Sequence, residues 1–181
     1  RMNAMVREIQ PHILFNGRNG LPGDFATPEQ HLTAPNPWRP WEACMTLNDN
    51  WGFHAGDHNW KSPVEVIQSL ARAAQGKGNL LLNIGPRGDG SIPEESVQIL
   101  RSVGDWLRTS GECLTDTELW TIDPYEKGEH RGDWIHHGSF TASGNNLYLI
   151  VTSPPPGSLT FSGLEARVLE VDQIGKGPLE F

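Results

Sequence analysis

Three stretches of this sequence gather residues capable of acid–base work, sugar recognition or metal binding. The first holds Asn16-Gly17-Arg18 and then Thr27-Pro28-Glu29-Gln30-His31. A carboxyl such as Glu29 can give and take a proton, and a guanidinium such as Arg18 can orient a carboxylate or bind a sugar hydroxyl. The plainer roles are a loop salt bridge for Arg18 and a solvated loop carboxylate for Glu29, and spacing alone favours those. The second stretch is Asn48-Asp49-Asn50-Trp51-Gly52-Phe53-His54. Trp51 offers a flat apolar face of the kind that packs on the C–H side of a pyranose, although Trp also fills cores and interfaces. His54 and His58 have the i, i+4 spacing of a helical zinc pair, but Gly56 and Asp57 oppose a helix and no third ligand has the expected spacing. His136-His137 is equally weak, so no metal and no cofactor are expected. The third stretch, Gly85-Pro86-Arg87-Gly88-Asp89-Gly90, superficially suggests a phosphate cradle. It lacks the Lys-Ser/Thr of such a loop and Pro86 removes an amide donor, so it reads as a tight turn.

The elements that must carry these stretches follow from periodicity and punctuation. Met2, Met5, Val6 and Ile9 recur at helical spacing until Pro11 stops the helix. Ile13-Leu14-Phe15 is a short apolar run, as in a strand covered on both faces, and a Gly/Pro/Asn-rich loop runs from Asn16 to about Pro40. Residues 41–47 make a second strand, followed by a loop from Asn48 to Lys61. Ser62-Pro63-Val64-Glu65 is a capping box with Pro at the first helical position. The stripe Ile67, Leu70, Ala71 and Ala74 continues this helix to Gly76 and Gly78. Leu80 to Ile84 is a third buried strand, and a helix from Pro93 carries Val97, Leu100, Val103 and Leu107 to Gly111. Strands alternating with helices imply an α/β arrangement with a parallel sheet, and groups acting on a ligand then sit on the loops leaving the strands' C-terminal ends.

After Leu114 the texture changes. Residues 146–151, 158–161 and 166–171 alternate with period two between turn signals, which implies antiparallel β. The boundary falls within 115–135, giving an α/β unit over residues 1–120 and a β-rich segment over 121–181.

Composition narrows the partners. Twenty-two acidic against 14 basic residues give a formal charge of -8, opposed to nucleic acid or an anionic membrane as the main partner. No apolar run approaches the roughly 20 residues that cross a bilayer. Cys44 and Cys113 read as buried free thiols rather than a disulfide. The start, Arg1 to Val6, reads as the inside of a helix, so the absence of a signal peptide leaves the compartment open.

Several runs resemble the α-L-fucosidases of glycoside hydrolase family twenty-nine. They are Trp41-Glu42-Ala43-Cys44-Met45, Trp51-Gly52-Phe53, Gly78 through Pro86 with Asp89-Gly90, Gly104-Asp105-Trp106-Leu107 and Ser110-Gly111-Glu112. The similarity extends from about Val6 to about Glu112 and, more weakly, through Thr141 to Leu149 into the start of that family's β domain. The resemblance implies the C-terminal half of a TIM-type barrel and a retaining exo-hydrolase removing terminal α-L-fucose from glycans. Such enzymes use two carboxyl groups about 5–5.5 Å apart, a nucleophile and an acid/base. The family's nucleophile is an Asp after the fourth barrel strand, and Ile13-Leu14-Phe15 looks like the fifth; residues 1–15 contain no Asp.

By the same resemblance Glu29 falls where one branch of the family carries its acid/base, with Glu42 in reserve. Arg18 matches an arginine that contacts fucose, and Trp51 an aromatic at the sugar's apolar face. The implied partner is a fucosylated glycan or fucoside. A half-barrel leaves two sheet edges and an apolar inner face open, so a homo-oligomer is expected.

Overall fold

The computed structural model describes residues 2–118, 138–154, 156–159, 164 and 166–181. The boundary expected within 115–135, His136-His137 and the strand expected over 158–161 fall wholly or partly outside them. Helix α1 spans Met2–Ile9, strand β1 Glu42–Thr46, helix α2 Pro63–Gln75, strand β2 Asn79–Asn83 and helix α3 Glu94–Ser110. Strands β3 (Gly138–Ser143), β4 (Asn146–Val151), β5 (Asp172–Gln173) and β6 (Gly177–Pro178) follow.

Helix α2 organises the fold, and its start is set by the sequence signature already noted. The Ser62 hydroxyl accepts from the Glu65 amide at 3.3 Å while the Glu65 carboxylate accepts from the Ser62 amide at 2.7 Å. The Ser62 amide, and its hydroxyl donating at 2.8 Å, hold the Glu65 carboxyl below the usual carboxylate range. Each side of α2 then buries a different set of partners. Val66 packs with Leu47, Ile99 and Val103, which joins the helix to α3 and the end of β1. Ala73 packs with Trp41 and Ala43, and Ala71 with Cys113 and Ile150. The alanines let backbones approach closely on two sides.

As α2 connects them, β1 and β2 pair in parallel, from Glu42 opposite Asn79 to Thr46 opposite Asn83. Trp41, 2% exposed, locks this pairing at its lower end. Its indole N–H donates to the Gly76 carbonyl at 2.8 Å, and its own carbonyl accepts from the Asn79 amide at 3.0 Å. Gly76 and Gly78 are required beneath the ring: a Cβ on Gly76 would lie 2.7 Å from the indole, and one on Gly78 would lie inside it.

The run Ile13-Leu14-Phe15 does not form the expected strand, and Leu14 is 70% exposed. Its ladder groups are used locally. The Phe15 amide donates to the Asp24 carboxylate at 2.8 Å and its carbonyl accepts from the Asp24 amide at 2.7 Å. Gly23 permits this return, because a Cβ there would lie 2.5 Å from the Asn16 carbonyl carbon. The Phe15 amide and Arg7, which donates twice to Asp24 at 2.8 Å, hold that carboxyl below its usual range. Residues expected in a loose loop lie alongside β1 instead, with Ala26 bridged in parallel to Trp41 and Glu29 to Cys44.

Strands β3 and β4 form an antiparallel hairpin from Gly138 opposite Val151 to Ser143 opposite Asn146. It packs against α2 and the turn Gly111–Cys113, where the Thr141 hydroxyl donates to the Cys113 carbonyl at 2.5 Å. Cys44 and Cys113 are both free, and burial pushes the Cys113 thiol up to about 11. The alternation over 166–171 forms no ladder among the described residues; Leu169 is 80% exposed, and pairing is confined to β5 and β6. The hairpin therefore covers the helices, and the sheet face turned away from α2 stays open, with Leu81 51% exposed.

Replacing Gly78 by Ala forces the Trp41 ring or the α2–β2 turn to move. Such overpacking costs about 1–3 kcal/mol. Urea unfolding of G78A should show a lower midpoint at unchanged slope; an unchanged midpoint would show that the ring has room to give.

Candidate active site

Glu29 and Arg18 meet beside the middle of β1, and Trp51 lies past that strand's C-terminal end. Glu29 belongs to the segment laid beside β1: the Cys44 amide donates to the Pro28 carbonyl at 2.9 Å and the Gln30 amide to the Cys44 carbonyl at 2.8 Å. These bonds put Glu29 level with Cys44, which is level with Leu81 on β2. Ala43 and Leu80, the residues between, pack towards α2, so strand alternation places Glu29, Cys44 and Leu81 on the opposite, open face.

Arg18 lies in the turn Gly17–Asn19, closed by the Asn16 side chain accepting from the Arg18 amide at 3.1 Å. Its Nη1 donates to Glu29 Oε2 at 2.7 Å, with side chains 48% and 43% exposed. This bond raises the Arg18 pKa, so the guanidinium stays charged. The structure thus shows Arg18 in a salt bridge within its loop, the plainer of the roles its residue type allowed. A half-exposed ion pair adds little stability, but it fixes where the carboxyl group points.

Trp51 sits past the end of β1, 38% exposed. The main chain at Trp51 and Gly52 lies against Gly85, past the end of β2, where a Cβ would meet the Trp51 carbonyl at 3.5 Å. Phe53 carries the Arg87 guanidinium 5.1 Å from its ring centroid, which links the two loops a second time. Trp51 makes no hydrogen bond or ion pair with the Arg18–Glu29 pair among the described contacts.

Sequence reasoning missed the group that shapes this loop. Asp57, 9% exposed, accepts from the Asp49 amide at 3.0 Å, the Asn50 side chain at 2.7 Å and the Asn59 amide at 3.0 Å. These bonds, that from Asn50 foremost, hold its carboxyl below the usual range. The density of Asn and Asp between 48 and 59 was the available signal, because these side chains bond to nearby backbone amides.

The run 85–90 is the turn its sequence implies: Gly90 donates to the Arg87 carbonyl at 2.9 Å, and Asp89 accepts from the Ser91 amide and hydroxyl at 2.9 and 2.7 Å. Glu42, the reserve carboxylate, begins β1 and lines a groove of about 610 Å³ with Lys77, Asn79 and Asp116 at the strands' N-terminal ends. Among the described residues no group of three His, Cys, Asp or Glu could hold a metal, and no helix is long and apolar enough to cross a membrane.

Parallel strands joined through a helix, with polar loops leaving their C-terminal ends, are the arrangement in which α/β proteins place ligand sites. Residues 2–112 match the family model for α-L-fucosidase, and the chain belongs to that family. Plasma alpha-L-fucosidase of Rattus norvegicus is 37% identical over 122 residues, 62% of this chain and 26% of the rat protein. The structure of alpha-L-fucosidase isoenzyme 1 from Paenibacillus thiaminolyticus matches with a TM-score of 0.79 at 33% identity, over 97% of this chain and 43% of that one. A Bacteroides thetaiotaomicron alpha-L-fucosidase structure, described as a trapped covalent intermediate with 2-fluoro-fucosyl fluoride, matches with a TM-score of 0.65 at 26% identity. It covers 83% of this chain and 38% of that one. The chain thus spans about a quarter of the rat protein and less than half of each bacterial chain.

Asp57 makes the 48–59 loop sensitive to acid. Its carboxyl titrates lower in the fold than unfolded, so its contribution is present above the ordinary aspartate range and is lost as pH falls through the lowered value. Hydrogen exchange at the Asp49 and Asn59 amides should speed up, relative to intrinsic rates, only below that range, and D57A should show the fast rates at neutral pH. Protection that survives D57A at neutral pH would mean that other contacts hold the loop.

Proposed function

We propose that this chain is the acid/base-bearing part of a retaining α-L-fucosidase, with β1, β2 and the segment beside β1 forming part of a half-barrel. The division into residues 1–120 and 121–181 separates that part from a β segment. The observation that carries this reading is the 2.7 Å bond between Arg18 and Glu29 on the open sheet face. In a retaining mechanism the acid/base protonates the departing glycosidic oxygen while the nucleophile attacks the anomeric carbon. It then takes a proton from the water that releases the sugar. Glu29 is reached by solvent on one side and oriented by Arg18 on the other. The covalent intermediate described for the Bacteroides protein supports the two-step course. Arg18 can also meet a sugar hydroxyl, and Trp51 can take the apolar face of a fucosyl ring.

A second reading rests on the ion pair, in which Glu29 is occupied by a cation. The chain would then be an inactive half-barrel that keeps sugar affinity through Arg18 and Trp51, or a folding fragment with no ligand. Hydrolysis of an aryl α-L-fucoside separates these readings. Release of the aryl group by the chain, reduced about 10²-fold or more in E29Q, supports the enzyme. Fucose binding without release, weakened in R18A, supports the binding module, and neither result leaves only the fragment.

The open apolar surface also bears on assembly. Leu81 on the sheet and Met2, Met5 and Ile9 on α1 are 51%, 66%, 60% and 85% exposed. We infer that a further copy of the chain covers them, because water-facing apolar surface of this kind favours association. Light scattering at micromolar concentration should give a multiple of 20.0 kDa. A stable monomer would reject self-association.

A further inference from the structure

The residue after Glu29 is built in an unusual way. Gln30 has φ +57°, in the left-handed region that a residue with a long side chain seldom occupies. Here the chain stops following β1. The Gln30 amide makes the last backbone bond, to the Cys44 carbonyl at 2.8 Å. From that point the Gln30 side chain takes over: Nε2 donates to the Thr46 hydroxyl at 3.0 Å, and Oε1 accepts from the Thr46 amide at 3.3 Å. The carboxamide thus continues the ladder by one step after its own backbone has turned away. Thr46, 1% exposed, is a firm anchor because its hydroxyl also donates to the Asn48 carbonyl.

We propose that Gln30 is a positioning residue for Glu29, holding by its clamp on Thr46 the left-handed turn that aims the Glu29 carboxylate at Arg18. The geometry supports this from both sides of Glu29. Before it, the Pro28 carbonyl is tied to Cys44; after it, both the backbone and the side chain of Gln30 are tied to β1. Glu29 therefore sits in an arch whose backbone is tied to β1 on both sides, and its side chain reaches out of that arch to Arg18. Gln30 touches neither Arg18 nor a sugar in this scheme; it acts through the backbone. The proposal deepens the acid/base reading of Glu29 and rests on it.

The test uses the full chain and reads the ion pair directly, so it does not depend on turnover. The ¹⁵N-coupled guanidinium protons of Arg18 should be protected from exchange in the native chain and lose that protection in E29Q. In Q30L, which keeps size and loses the amide, and in T46V, which keeps shape and loses the hydroxyl, exchange should rise about tenfold, as for loss of one charge-assisted hydrogen bond. T46S should restore protection. Q30G removes the clamp while relieving the backbone strain, and should exchange as Q30L does. Where the chain hydrolyses an aryl fucoside, Q30L should lower kcat and leave KM unchanged. Native protection in folded Q30L and T46V would overturn the proposal, and so would unfolding of all three clamp variants, because Gln30 would then serve the fold alone. A chain without hydrolysis whose Arg18 protection follows the clamp would count against the enzyme reading and support this one.

Discussion

Everything at the candidate site depends on where Trp41 sits. Its ring rests on Gly76 and Gly78, its N–H closes the end of α2, and its carbonyl begins the pairing with β2. On its other edge it bridges Ala26, which starts the segment that ends at Glu29. One buried side chain thus sets the register of three adjacent extended segments. Registers in sheets are unforgiving, since a slip of one residue sends every side chain to the opposite face. A slip in the 26–30 segment would turn Glu29 away from the open face and leave Arg18 without its carboxylate.

Above that level the structure shifts from apolar packing to local polar bonds. Arg18 and Glu29 hold one another across a solvated surface, where Coulomb attraction is weak and direction matters more than strength. Asp57 plays a comparable part for the Trp51 loop by collecting two amides and an amide side chain around one nearly buried carboxylate. The hydrophobic residues therefore decide which elements meet, and short polar networks decide how the loops at the strand ends are shaped.

The elements with strong local signals could be read directly from the residues. The capping box at Ser62, Pro63 at the first turn and the glycines after Gln75 mark α2 because each satisfies or ends backbone bonding within a few residues. The strand expected over 80–84 forms over 79–83 and was legible from its leucines, although Leu81 is half-exposed where a buried strand was expected. The 85–90 turn was legible from its glycines and Pro86. What could not be read were choices between equivalent partners. Ile13-Leu14-Phe15 has a strand's composition, yet Asp24 captures the Phe15 amide and the chain turns back. The segment 26–30 has a loop's composition, with Pro28 inside it, and still lies beside β1 because Trp41 and Cys44 offer it backbone partners. At the site, Glu29, Arg18 and Trp51 came from resemblance, and the clamp of Gln30 on Thr46 left no mark in spacing or residue type. Left-handed backbone at a glutamine is a tertiary outcome.

The packing of Trp41 on two glycines also divides the molecule by its tolerance of length change. At the N-terminal end of the sheet, the α2–β2 connection is held to its present length by a ring with no space beneath it. At the C-terminal end, the loops after β1 and β2 close on themselves through Asp57 and Asp89, and touch each other through Phe53 and Arg87. Residues added there would extend outward without disturbing the sheet below. Insertions and deletions across relatives should therefore collect at the strand ends that face the site. The short turn beneath Trp41 is the place where the chain's length has least freedom to drift.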